Sequence, residues 1–240
     1  MAGEAHVLDE VRAAIHKEPR LPATTPVVLG YEDGTLTLEG EVPNVAVKKL
    51  LLERAAAHPA VTGIIDRLRV VPGERMGDKQ VRDHVSDALG QEPAFAELTL
   101  EERVKGEIVI LGKPPTNARG RICVSVQDGV VTLEGDAPSL AHKRLAGVLA
   151  WWVPGSRDVI NGLGITPPEE DSDDEIADAV RMVLEKDPFV DASKIRVGAR
   201  RSRVRLEGLV PTRSERDMAE FDAWYVFGVD DVENRIEVRA

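Results

Sequence analysis

Aromatic residues make up only 4% of this chain, so the two places where they stand side by side are its first candidates for contact chemistry. Trp151-Trp152 and Trp224-Tyr225 each close a stretch with helical spacing. Counting seven residues on from Leu145 and from Met218 reaches Trp152 and Tyr225, the side that suits a core. Trp151 and Trp224 then lie about 100° off that side, half exposed near a helix end. Two readings stay open. One is packing against a neighbouring part of the chain. The other is contact with a lipid headgroup region or a partner protein, where indole does well between apolar and wet surroundings.

The second candidate is charge. Arg196, Arg200, Arg201, Arg203 and Arg205 fall within ten residues, and Arg235 and Arg239 lie further on. Val204 and Leu206 alternate with Arg203 and Arg205, as Ile236 and Val238 do with Arg235 and Arg239. Strand geometry therefore turns these arginines away from the core, diluted by Glu207 and Glu237. Guanidinium groups suit bidentate binding of phosphate or carboxylate. The alternative is a solvated sheet face, or one docked on the acidic stretch Pro167 to Glu175. Aromatic interleaving of the kind a single-stranded nucleic-acid platform needs is missing. A net charge of −11 also disfavours nucleic acid as a partner of the whole chain.

Catalytic patterns are absent. The five histidines (6, 16, 58, 84 and 142) are scattered, and none pairs with a cysteine or another histidine at ligand spacing. There is no G-x-S-x-G, P-loop or G-x-G-x-x-G. Cys123 is the one cysteine, so no internal disulfide forms; it sits on an alternating segment and points away from the side of Ile122 and Val124. The acids at 171–175 read as a solvated linker rather than a cation site. No enzyme, metal or cofactor is expected.

The elements that position these residues recur. An aliphatic triplet at helical spacing appears as Val7/Val11/Ile15, Val81/Val85/Leu89 and Ile176/Val180/Leu184. Each is stopped by Lys17-Glu18-Pro19, Gln91-Glu92-Pro93 or Lys186-Asp187-Pro188, since proline cannot continue a helix. Alternating segments follow and turn at Asp33-Gly34, Asp128-Gly129 and near Arg201-Ser202, a hairpin pattern that lacks its glycine in the third copy. Then comes a signature, L-E-G-x-[Val/Ala]-P-[Asn/Ser/Thr], at Leu38, Leu133 and Leu206, with a weaker copy at Ile110. Its leucine ends a strand, its glycine permits the exit, and Asn44, Ser139 or Thr212 caps the next helix. A closing strand begins at Ile64, Val159 and Val232, 26 residues after each signature leucine.

The order is α-β-β-α-β three times, an α+β chain in which two helices cover one face of each small mixed three-stranded sheet. The modules span 5–71, 78–165 and 175–239, with an acidic, flexible linker at 166–174. Units of about 65 residues are marginal alone and are expected to support one another by packing. The middle module is enlarged by an extra hairpin at about 97–116. It reads either as a fourth repeat that lost its second helix and last strand, next to one that lost its first helix, or as a hairpin inserted into one module; four or five strands are expected there.

These features together resemble the BON family, named for bacterial osmotic-shock and nodulation proteins. The resemblance rests on the Asp-Gly hairpin, the L-x-G-x-[Val/Ala]-P exit and the closing strand, and covers nearly the whole chain. It implies no enzymatic activity. It implies a bacterial, stress-linked binding protein whose second helix contacts anionic phospholipid, which here points to Trp151, Trp152, Trp224 and Tyr225; Arg196, Arg203, Arg205 and Arg239 on the open sheet face are the further candidates. Alanines at 56 and 57 set the first module apart. The alternatives are a protein-interaction scaffold, including self-association, and a potassium-binding sensor. The acidic N-terminus and the lack of a long apolar run lead us to expect a cytoplasmic protein, peripheral to a membrane where it meets one.

Overall fold

Each triplet lies on a helix and each alternating pair becomes a hairpin. The computed structural model describes residues 2–22 and 26–239. Two compact units divide at Val71. The first holds α1 (Ala2–His16), β1 (Val27–Glu32), β2 (Thr35–Val42), α2 (Val45–Ala56) and β3 (Gly63–Val70). The second begins with α3 (Asp78–Gln91), β4 (Thr99–Val104), β5 (Glu107–Ile110), β6 (Arg121–Gln127), β7 (Val130–Ala137), α4 (Leu140–Trp152), β8 (Asp158–Asn161) and β9 (Gly164–Ile165). It ends with α5 (Asp173–Lys186), β10 (Ile195–Arg200), β11 (Arg203–Val210), α6 (Arg213–Tyr225) and β12 (Asp231–Val238).

The first and third sheets run β1-β2-β3 and β10-β11-β12, an antiparallel hairpin whose second strand also takes the closing strand in parallel. The second sheet has six strands in the order β5-β4-β6-β7-β8, with β9 also on β7. β8 and β9 are one closing strand interrupted at Gly162-Leu163, where Leu163 drops into the core at 1% exposure.

Helix α3 serves the β6–β7 hairpin as α5 serves β10–β11. Asp78 accepts the backbone N–H groups of Asp128 and Gly129 at 3.0 and 2.9 Å. Asp173 accepts those of Arg201 and Ser202 at 2.7 and 3.0 Å. Both acids stand three residues before the first aliphatic of their triplet, so one carboxylate staples each turn to its helix. The hairpin β4–β5 thus lies between a first helix and the strand that helix covers, and extends the sheet at the outer edge of β6.

The signature is mechanical. Asn44, Ser139 and Thr212 accept from the backbone N–H of Val47, His142 and Glu215, a side-chain cap at each helix start. The glycine before each cap is required by a neighbouring carbonyl. A Cβ at Gly40, Gly135 or Gly208 would sit 2.4, 2.2 or 2.1 Å from the carbonyl oxygen of Pro26, Arg121 or Lys194. The turns bring both central residues to positive φ, and the third does so without glycine, at Arg201 (52°) and Ser202 (59°).

All three tryptophans fall in the second unit (residues 151, 152 and 224), so intrinsic fluorescence reports its unfolding. Ser202→Gly, which removes a Cβ from a left-handed position, is expected to stabilise that unit by about 1 kcal/mol. Gly208→Ala drives a methyl into the Lys194 carbonyl and is expected to cost about 1–3 kcal/mol. Urea unfolding followed by fluorescence checks both.

Candidate functional site

The aromatic doublets are brought together. Helices α4 and α6 pack within the second unit, and the rings of Trp151 and Tyr225 stack with centroids 5.8 Å apart and planes 13° from parallel. Trp152 donates its Nε1–H to Asp222 at 2.9 Å. Trp224 is 1% exposed. The expectation of a half-exposed Trp224 is therefore corrected, whereas Trp151, Trp152 and Tyr225 are partly buried. Spacing along one helix locates the side facing its own sheet; it does not see a second helix layer arriving on the other side. These side chains hold the second and third sheets' helices together.

Arg144 is the other anchor of this seam. It is 1% exposed, bonds both oxygens of Asp171 at 2.6 and 2.7 Å, and donates Nε–H to the Phe227 carbonyl at 3.0 Å. Lys143 lies 4.8 Å over the Phe227 ring, and Lys186 bonds both oxygens of Glu92 at 2.9 Å. Glu169 accepts the backbone N–H of Leu140, and Ser172 caps α5 through the N–H of Glu175. The acidic stretch is consequently a fastened strap rather than the flexible linker its composition suggested. Its acids meet partners about 27 to 29 positions away in the chain, a distance at which local composition carries no information.

Asp222 is the residue that sequence reasoning missed. It is 3% exposed. Burial, opposed by the Trp152 bond and reinforced by the adjoining Asp187, pushes its carboxyl up to about 8. Its Oδ2 meets no donor; protonated, that oxygen becomes the donor and Asp187 the acceptor beside it. An acid flanked by Ala219 and Ala223 on the buried side of α6 was the available signal.

The arginines behave as strand alternation requires. Arg196, Arg200, Arg203, Arg205 and Arg235 are exposed on the third sheet, opposite buried Val197, Val204, Leu206 and Ile236. Two of the four proposed there are already engaged: Arg203 pairs with Asp231 at 2.8 Å and Arg205 with Glu233 at 2.9 Å. Glu233 also takes Arg235 at 2.5 Å, and these arginines hold its carboxyl below the ordinary range. Arg196, Arg200, Arg201 and Arg239 form no ion pair among the described residues. Register sets Arg200 directly opposite Arg203, an unfavourable like-charge pair. Arg200, Arg201, Arg203 and Arg205 line a shallow groove of about 670 Å³ with Gly198 and Glu233.

The second sheet's open face is different. Arg103 pairs with Glu134 at 2.8 Å and Arg121 with Glu101 at 3.0 Å. This lattice covers Cys123, which is 1% exposed and whose thiol burial pushes up. Among the described residues no three His, Cys, Asp or Glu side chains are grouped to hold a metal ion, and no helix is long and apolar enough to cross a membrane.

The chain matches the BON domain family at residues 4–72, 96–167 and 172–240. No curated protein sequence matches it. Among solved structures, it aligns with the C-terminal domain of CdsD, the structural protein of the type III secretion system of Chlamydia trachomatis. That alignment covers 98% of each chain at 16% identity, with a TM-score of 0.25. A second CdsD structure aligns over 98% of this chain and 92% of its own, also at 16% identity and 0.25. Likeness at that level carries no functional argument.

The Asp222 geometry has a pH signature. From the ordinary carboxylate value of 3.8 up to about 8, the folded state holds a proton that the unfolded state has lost. Its contribution is whole below that window and declines as pH rises through it. Asp222→Asn keeps the acceptor for Trp152 and supplies a permanent donor to Asp187. Its stability is expected to gain on the parent by more than about 1 kcal/mol between pH 5 and pH 9, measured by urea unfolding with tryptophan fluorescence.

Proposed function

The chain belongs to the BON domain family, and from that premise we propose that it is a non-catalytic binding protein. We assign its modules to 5–71, 78–165 and 175–239, the second carrying the inserted hairpin β4–β5. Its target is the anionic headgroup surface of a membrane, or an assembly held there, reached through the third sheet. One observation carries this reading: Arg196, Arg200 and Arg201 are exposed and lack ion-pair partners among the described residues, on a chain whose net charge is −11. Such a cluster keeps its full charge for a ligand. Arg203 and Arg205 are exposed by 63% and 51% in their pairs, and pairs that open cost little to exchange for a bidentate phosphate. Arg239, at the end of the same sheet, extends the basic edge. The aromatic residues contribute by fixing the module, not by touching the ligand.

A second reading, a protein-interaction scaffold, is favoured by a different observation, the exposed apolar edge of β5.

Co-sedimentation with phosphatidylglycerol vesicles at low salt tests the first. Each arginine near an anionic surface contributes about 1 kcal/mol, so the triple variant Arg196→Glu, Arg200→Glu, Arg201→Glu, which also adds three repelled charges, is expected to bind more than about 100-fold more weakly. Added salt should weaken the parent as well. A parent chain that stays in the supernatant at low salt rejects the phospholipid version.

A further inference from the structure

We infer that β5 is a self-association edge. Two copies of the chain pair antiparallel through Ile108-Val109-Ile110, with Val109 on the twofold axis, joining two six-stranded sheets into one.

β5 is the last strand of its sheet. Ile108, Val109 and Ile110 are exposed by 49%, 46% and 51%, three aliphatics in a row. The hydrogen-bond phase is fixed by Leu111, whose N–H is donated inward to the Leu100 carbonyl at 2.8 Å. Alternation then turns the N–H and C=O of Ile108 and Ile110 toward the open edge. Strand edges in natural proteins are normally blunted by charge, proline or cover. The third sheet does this: Arg181 bonds the Val197 carbonyl of edge strand β10 at 2.9 Å. On β5 the blunting residues stand only at the ends, at the Lys105-Gly106 turn and at Gly112, Pro114 and Pro115.

Those ends select the occupant. They limit pairing to a strand of about five residues that is itself bounded by a turn and prolines, and β5 of a second copy meets that condition. With Val109 on the axis, Ile108 stands opposite Ile110 of the second copy, so both outward-facing residues of each strand exchange backbone bonds. The four isoleucines share one face. Glu107 stands opposite Leu111 of the second copy, just past the end of the strand, where Gly112 at φ 63° turns the chain away.

The register gives the test. Val109 faces its own copy in a non-hydrogen-bonded position, with Cα atoms about 4.5 Å apart, inside the range a disulfide spans. In the full chain, Val109→Cys is expected to form a covalent dimer under mild oxidation. Ile108→Cys, whose thiols are offset, should form far less; the remaining thiol, Cys123, is 1% exposed. Sedimentation equilibrium is expected to show a dimer for the parent and a monomer for Ile108→Lys, Ile110→Lys, with thermal unfolding of the monomer confirming that the variant folds. A parent that is monomeric at high concentration overturns the proposal. So does a dimer that survives the double lysine variant, or equal cross-linking at positions 108 and 109. Vesicle binding involves another sheet and is read separately.

Discussion

One hydrogen bond, from Trp152 to Asp222 at 2.9 Å, joins the helix layer of the second sheet to that of the third, and the rest of the second unit is arranged around it. The Trp151–Tyr225 stack lies beside it. Arg144 closes the other side by seizing Asp171, which pins the strap before α5. The half-buried Trp152 indole N–H finds its acceptor here, and a buried carboxylate needs either a donor or a proton. Asp222 has both. The side chains of this seam are engaged with one another, which is why the proposed recognition is assigned to the open sheet faces and strand edges.

The same register positions carry three different chemistries. The acid before each helix-stopping proline is Glu18, Glu92 or Asp187, and the residue sixteen beyond each signature leucine is Arg54, Leu149 or Asp222. In the first unit Glu18 bonds Arg54 at 2.6 Å and Arg20 at 2.8 Å, which hold its carboxyl down at about 2. The pair is satisfied internally, and alanines at 56 and 57 offer no ring to a neighbour. Glu92 instead takes Lys186 from the end of α5. Asp187 faces Asp222, and the proton shared there stands where the arginine stands in the first unit. A self-contained ion pair suits a module that forms its own compact unit; an acid pair with an outside indole donor suits one that needs a neighbour.

This explains what was legible in the sequence. Helices, hairpins, caps and the closing strands are set within a few residues of themselves, by aliphatic spacing, proline, glycine and Asn44, Ser139 or Thr212. The three-stranded sheets and the enlarged middle sheet follow from those local signals. The burial of Trp224 and the fastening of Asp171 and Asp173 do not, because their partners come from other elements. Even the signature glycine was legible only by half. A glycine at a strand exit suggests freedom to bend, whereas its cause is the carbonyl 2.1 to 2.4 Å from where a Cβ would be.

The open faces separate by how completely they neutralise themselves. The second sheet sets Arg103 against Glu134 and Arg121 against Glu101 and seals Cys123 beneath. The third sheet spends Asp231 and Glu233 on Arg203, Arg205 and Arg235, and Arg196, Arg200 and Arg201 are left over. Exposed ion pairs contribute little to stability, so folding does not require either arrangement. What differs is the charge still available to a ligand. A face whose arginines are all matched offers little to an anion, whereas on the proposed binding face an anion would both bond Arg200 and relieve what repulsion remains between it and the Asp231-paired Arg203 opposite.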